Sequence, residues 1–507
     1  MLPSLERLTL DRGTYANQIS GSKKRPADGE APVDDDDCPC CFDRIGEDEG
    51  VYLECEHSNG VIHTFHKKCL KGWSERSDPL RCPICRDVVV REDTVYTHMQ
   101  GMEWLRPPLR NVSIRDAVQW CMENDTTVHP KHGPVELWDV SKVTDMSGLF
   151  KDYTSFNADI SGWVVVQVKD MSYMFEGAKN FDVDISGWDV RSVRYMFGMF
   201  KGAERFNSPL FELHGSYSIY DVRYMFKNTV MFNRDLSSWD LSGVAKMSGM
   251  FSNARAFNSP LFAMSSSTSG YRDTGEMFIN AVSFNQDLSH WNTAMVRNMA
   301  GMFRGAVSFN QDLSTWNVLM VESMAWMFSG ALDFNSPLFR VTSVSNVSGM
   351  FKDAVSFNQD LSRWSISSAD TKMREMFAGA EKFNSPLFTV FSVGHRGDRI
   401  DCDMSKMFMG ASEFNQRVSH WEVENVVSME SMFEDATSFN APLFQPNFSR
   451  LVSVDRMFKR AANFEFSDWD TGAWRLVMAA NAVSREQWLL GTKAPRSVVI
   501  RSADVYA

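Results

Sequence analysis

From Trp138 to about Trp469 one pattern returns again and again, and it constrains this chain more than any other feature. A phenylalanine, usually preceded by methionine, recurs at Phe150, Phe175, Phe200, Phe226, Phe251, Phe278, Phe303, Phe328, Phe351, Phe377, Phe408, Phe433 and Phe458. Most steps are 25 residues, with excursions from 23 to 31. The unit reads V-x-x-M-x-x-M-F-x-x-A-x-x-F-N, followed by Q-D-L-S-x-W or S-P-L-F. No unit of that length can bury its own Met, Phe and Trp, so neighbours must stack to close a shared core. Apolar spacing of three and four predicts a short helical segment in the first half. The second half, as in "FNQDLSHW" (284–291), is short and turn-bounded and predicts a brief strand.

The expected fold is thus a leucine-rich-repeat-like solenoid of about 13 turns, each a short strand plus a short helical segment. At roughly 4.8 Å per paired strand it would be a rod about 60 Å long. The asparagine after the second Phe (Asn157, Asn207, Asn233 and onward to Asn440) forms a column able to satisfy loop backbone groups, because an amide both donates and accepts. A calcium reading of the neighbouring Asp287, Asp312 and Asp360 competes, although no unit has the clustered carboxylates of a hard-cation loop. "VTDMSGLF" (143–150), the phenylalanine–asparagine pairs and "WDV" (188–190) resemble the BspA-like subgroup of leucine-rich repeats over about 330 residues. That resemblance implies a protein-contact surface and no catalysis. Its bacterial members are secreted, whereas the start "MLPSLERLTLDRG" shows no apolar leader region.

Upstream the chemistry changes. Seven of the nine cysteines lie between Cys38 and Cys85, with only Cys121 and Cys402 elsewhere. Clustering of that kind points to metal in a reducing compartment rather than to disulfides, and predicts an intracellular protein, cytoplasmic or nuclear. The net charge of −12 argues against nucleic acid as a partner, and no apolar run is long enough for a membrane span. "KKRP" at 23–26 reads as a nuclear signal or a solvated tail, and "RGD" at 396–398 raises an adhesin reading that the missing leader opposes.

In chain order the cluster offers Cys38-x2-Cys41, Cys55 with a histidine, a second histidine with Cys69, and Cys82-x2-Cys85. Eight N/S ligands suffice for two closed, structural zinc sites. Three histidines compete for two places. His63-x2-His66-x2-Cys69 keeps the spacing short and regular, whereas His57 would leave a long gap. "SNGV" (58–61) predicts a hairpin with Asn59-Gly60 as its turn, which sets Glu56 against His63 and Cys55 against Thr64. Cys55 and His63 then lie diagonally across the ladder. His57 is left near the tip, and Cys40 is a filler or an alternate ligand.

"HTFHKKCLKGW" (63–73) joined to "CPICR" (82–86) resembles the RING finger of ubiquitin ligases, in its three-cysteine, two-histidine, three-cysteine form. The resemblance implies a small cross-braced α+β fold with interleaved sites. Cys38, Cys41, His66 and Cys69 would hold one zinc, and Cys55, His63, Cys82 and Cys85 the other. It also implies recruitment of a ubiquitin-conjugating enzyme through the positions of Trp73, Pro83 and Cys40. An aliphatic residue is usual at the last of these. Arg86 matches the family's cation that holds the charged ubiquitin thioester in a reactive pose, a role suited to the planar guanidinium.

The expected organisation is a disordered acidic tail over 1–37, a RING finger over 38–92 and a linker with helical cap over 93–137. The solenoid follows over 138–470 and a C-terminal cap or tail over 471–507. In the cap, "SIRDAVQWCMEN" (113–124) predicts an amphipathic helix with Ser113 as N-cap and Ile114, Ala117, Val118, Cys121 and Met122 on one face. The function these parts imply is a ubiquitin ligase whose finger recruits the conjugating enzyme and whose repeats choose an unknown protein substrate. A non-catalytic zinc-binding scaffold or adaptor is the alternative. The irregular loops at 263–276 and 389–403 are the expected places for substrate contacts.

Overall fold

The computed structural model describes residues 50–54, 62–66, 108–213, 219–265, 270–367, 371–392, 401–444, 451–465 and 492. The chain divides into two compact units, 1–105 and 106–507. In the first, strands β1 (Gly50–Glu54) and β2 (Ile62–His66) pair antiparallel.

The second unit begins with helix α1 (Asn111–Glu123), where an amphipathic helix was expected. Its cap falls earlier than the sequence suggested. Arg110 is the N-cap, and Ser113, three residues on, accepts the Arg110 backbone N–H at 2.8 Å. Ile114, Ala117, Val118 and Cys121 are buried as expected, while Met122 is only half-buried. Two short strands, β3 (Val128–His129) and β4 (Gly133–Pro134), and a 3-10 turn over Val135–Leu137 lead into the repeats. The helix closes the open edge of the first repeat. Asn111 Oδ1 accepts the Thr144 and Asp145 backbone N–H groups at 2.9 and 3.2 Å, and Arg115 donates to the Ser147 carbonyl at 2.6 Å. An exposed ladder edge invites mispairing, and this polar cover removes it.

Successive repeats join through parallel bridges, one per turn, in the run Asp145–Asp170–Tyr195–Asp221–Lys246–Asp273. The register continues through β5 (Arg272–Asp273) and β6 (Val296–Asn298) to Ser323, Asn346 and Lys372. It resumes in β9 (Cys402–Asp403), β10 (Val426–Ser428) and Ser453. A second parallel pair joins β7 (Ser365–Ser367) to β8 (Thr389–Phe391).

Here the expected division of each unit is reversed. Extended pairing lies just before the methionine, and "FNQDLSHW" (284–291) contains no strand. The Met-Phe half contains no helix among the described residues; it is a chain of tight turns. Leu149, Lys151 and Tyr153 each donate to the carbonyl three residues back, at 3.1–3.2 Å. The residues between them, Gly148, Phe150 and Asp152, donate instead to Ser172, Met174 and Glu176 of the next repeat, at 2.6–2.8 Å. Alternate N–H groups therefore close turns and tie repeats together. The resulting apolar spacing of three and four mimics a helix without forming one.

Two residues per repeat take positive φ, such as Gly148 and Asp152, then Tyr173 and Gly177. Each is the third residue of a closed turn, where a type II turn requires positive φ. Side chains strain such positions, and a stacked neighbour must compensate.

The core is aromatic. Phe150, Phe175, Phe200 and their equivalents through Phe458 stack face to face with centroids 5.4–5.6 Å apart. The second phenylalanine of each unit forms a parallel column, Phe156 on Phe181 at 6.0 Å and so on to Phe464. A third column explains the two forms of the unit. The tryptophan of one form and the last phenylalanine of the other occupy the same place, as in Trp316 on Phe339 and Phe339 on Trp364. Each indole N–H is satisfied by a carbonyl one turn back, Trp316 by Leu288 at 3.0 Å. That is how a buried tryptophan escapes a desolvation penalty.

Candidate functional site

In the finger region the backbone of β1 and β2 carries the register Leu53↔His63, Tyr52↔Thr64 and Gly50↔His66. This differs by three positions from the register built on an Asn59-Gly60 turn. The ladder closes at Glu54↔Ile62, so the two-residue turn does not set it. A local turn signal yielded to the longer pairing "GVYLE" with "IHTFH", in which aromatic and β-branched residues alternate. His63 and His66 stand on β2, three positions apart. The other expected ligands, Cys38, Cys41, Cys55, Cys69, Cys82 and Cys85, lie outside the described residues. So do His57, Cys40, Trp73, Pro83 and Arg86.

On the repeats the asparagine column does what its chemistry suggested. Asn233 Oδ1 accepts the Asn258 N–H at 2.8 Å, Asn258 accepts from Asn285, and the ladder continues to Asn440 and Glu465. Asp182 fills the rung where the sequence lacks asparagine, accepting from Asn207 at 2.8 Å. The aspartates weighed as calcium ligands have another task. Asp287, Asp312 and Asp360 each accept the backbone N–H of the serine two residues on, at 2.8 Å. Those bonds hold the Asp287 and Asp360 carboxyls below the usual carboxylate range. Among the described residues no three His, Cys, Asp or Glu side chains gather to hold a metal ion.

Charge is organised by column as well. Glu176 accepts from Lys151 at 2.8 Å and Lys201 at 2.6 Å, one from the turn on either side. Burial would raise its pKa, but the two lysines outweigh that and hold it low. A carboxylate held low adds stability above its unfolded pKa and loses it as pH falls through the folded value. The melting temperature of a Glu176→Gln variant should therefore lie below that of the parent at about pH 6 and converge on it by about pH 3. A gap that widens in acid would contradict this.

One arrangement escaped sequence reasoning. Tyr173, Phe197 and Tyr224 come from three successive turns, with ring centroids 4.9 and 5.6 Å apart. Lys151, Arg223 and Lys227 lie over their faces at 5.3, 4.8 and 4.9 Å. Tyr173 and Tyr224 hold positive φ, and glycine follows each one turn later, at Gly198 and Gly249. A Cβ at either glycine would run into the tyrosine ring. The alternation of aromatic and glycine every 25 or 26 residues was the available signal.

Five successive segments, residues 120–217, 214–272, 264–343, 338–393 and 400–486, match the model described as Mycoplasma protein of unknown function, DUF285. The chain belongs to the DUF285 family. The DUF285 match covers the stacked repeats and carries no activity with it; nor does it single out the BspA-like leucine-rich repeats as a subgroup. Ahead of the DUF285 repeats, residues 36–86 match the Ring finger domain model. The same region is 42% identical over 60 residues to the E3 ubiquitin-protein ligase RHA2A of Arabidopsis thaliana, covering 12% of this chain and 34% of that protein. It is 43% identical over 61 residues to the Probable E3 ubiquitin-protein ligase RHB1A of the same plant, covering 12% and 28%. The chain thus spans about a third of the length of these curated relatives. No solved structure matches it. No helix among the described residues is long and apolar enough to cross a membrane.

Proposed function

We propose that this chain is a RING-type ubiquitin ligase in which the finger over 38–92 recruits a ubiquitin-conjugating enzyme and the repeats over 138–470 select the protein to be modified. The match of residues 36–86 to the Ring finger domain, shared with two plant ligases at 42% and 43% identity, carries the reading. The donor set fits two zinc ions. Cys38, Cys41, His66 and Cys69 form one tetrahedral group, and Cys55, His63, Cys82 and Cys85 the other. A spacing of three on a strand of period two puts positions 63 and 66 on opposite faces of the β1–β2 ladder, as ligands serving separate ions require. Bound there, zinc supplies folding energy and closes the finger; the chemistry needs no nucleophile from this chain.

Trp73, Pro83 and Cys40 would form the apolar contact for the conjugating enzyme. Arg86 would hold the thioester-linked ubiquitin in an attack-ready pose, so the finger acts by positioning. The repeats, taken as a leucine-rich-repeat-like solenoid of about thirteen turns, offer one long contact surface in the same intracellular protein.

With ubiquitin, activating enzyme and a panel of conjugating enzymes, the intact chain should modify itself. Trp73→Ala should abolish the conjugates, and Arg86→Ala should reduce them by roughly tenfold or more, as expected when a charge-assisted contact is removed. An intact chain that makes no conjugate with any conjugating enzyme would sink the ligase reading. It would favour the zinc-binding scaffold, to which Cys40 in place of an aliphatic residue already lends support.

A further inference from the structure

The tyrosine-bearing face of the first repeats also holds unmatched positive charge. Arg194 donates its backbone N–H to Lys169, and Tyr220 to Arg194, at 2.8 and 3.1 Å. Lys169, Arg194 and Tyr220 therefore occupy one column on successive turns. Tyr195 sits beside them in the bridge column, between Asp170 and Asp221. Tyr195 and Tyr220 are 46% and 50% exposed, unusual for rings in a chain that buries its other aromatics so thoroughly. The acidic groups of this face are already engaged. Asp221 pairs with Arg223 at 2.6 Å, Glu176 with two lysines, and Asp170 accepts the Ser172 N–H at 2.8 Å. Lys169 and Arg194 have no carboxylate partner among the described residues, and Lys246 lies over the Tyr220 ring at 4.9 Å. Later turns differ, for there Lys352, Arg374, Lys459 and Arg460 all meet carboxylates.

We propose that this face, centred on Lys169, Arg194, Tyr195 and Tyr220, binds an acidic, Asp/Glu-rich segment of a partner protein. Charge complementarity selects the occupant. The excess cations accept carboxylates, and the exposed tyrosines supply rigid contact area and hydroxyl donors at little entropic cost. A net charge of −12 over the whole chain repels polyanions from elsewhere and makes this patch the place where one can land. Rings held at positive φ over glycine keep the neighbouring surface preformed, which limits the ordering cost of binding. As a binding surface the patch stands alone. As the means of choosing a substrate it rests on the ligase proposal.

The test is fluorescence anisotropy of the zinc-loaded full chain with fluorescein-labelled polyglutamate, and with polylysine and oligothymidylate as comparison probes. A parallel preparation carries Asp34→Asn, Asp35→Asn, Asp36→Asn and Asp37→Asn, so that the chain's own acidic run cannot mask the site. Polyglutamate should bind, weaken with salt, and lose at least about tenfold in affinity when Lys169→Glu and Arg194→Glu are combined. Tyr195→Ala with Tyr220→Ala should weaken it severalfold, and Lys372→Glu, in the bridge column of a later turn, should change nothing. These side chains are exposed, so the melting temperature should hold. Failure of both preparations to bind polyglutamate, or undiminished binding by the charge-reversed variant, overturns the proposal. Tighter capture of oligothymidylate, lost in the same variant, also overturns it and makes the face a nucleic-acid surface. No conjugating enzyme or ubiquitin takes part, so the outcome is independent of ligase activity.

Discussion

Alanine at Phe303 is expected to lower the stability of the repeat array by about 3–5 kcal/mol, the usual cost of emptying a buried phenylalanine site. Phe303 is fully buried. It stacks on Phe278 and Phe328 at 5.6 Å and on Phe309 of its own turn at 3.9 Å, and leans on Trp316 at 6.2 Å. Turn backbones locked by hydrogen bonds on both sides cannot collapse into the void, so the loss should fall at the upper end. Urea unfolding followed by tryptophan fluorescence measures it. In an array held by nearest neighbours, one weak turn loosens both of its interfaces. Phe303→Ala with Phe309→Ala should depart from additivity, whereas Phe303→Ala with the distant Phe433→Ala should add. A loss under about 1 kcal/mol from the single change would mean that the column is not a continuous core.

The second large effect belongs to the finger. The purified chain should carry two equivalents of zinc, and His63→Ala or Cys69→Ser should each remove one. His57→Ala should leave both. Structural zinc contributes roughly 10–16 kcal/mol per site in small modules, so losing one ligand should unfold the finger and abolish self-modification. The repeats should melt as before, because residues 106–507 form a compact unit with its own core. Zinc content by atomic absorption and two separate thermal transitions report this. A chain that keeps two zinc ions in the His63→Ala variant but loses one in His57→Ala would reverse the ligand assignment.

The period, the buried Met, Phe and Trp, and the asparagine ladder were legible in the sequence because each repeats in one dimension. A column is visible wherever a residue recurs at the same place in every unit. What the period alone could not convey was backbone conformation. Consecutive turns closed over three residues give the same apolar spacing as a helix. The evidence against a helix, positive φ twice per unit, is hidden when Tyr173, Trp326 or Lys406 rather than glycine occupies the position. Ser113 looked like a cap because capping serines commonly precede apolar runs, yet Arg110 starts the helix and Ser113 ties the start down from inside. The hairpin register shifted because Asn59-Gly60 is a strong local signal that says nothing about how far the strands extend. The cation–tyrosine face was invisible for a simpler reason. Its members lie about 25 residues apart and come together only when turns stack.

The step between Phe377 and Phe408 spans 31 residues, yet those rings stack at 5.4 Å, no farther apart than rings separated by 25. The ladder likewise runs across it, with Phe377 donating to Met407 at 2.8 Å. Contour length and rise are thus uncoupled in this molecule. Extra residues leave the stack at its margin and return without lengthening it, much as a balcony adds floor space to one storey without raising the building. Such a scaffold can acquire or discard segments between Phe388 and Met404 while every other turn keeps its height, its neighbours and its place along the axis. Sequence there is free to change at a rate the stacked turns could not survive.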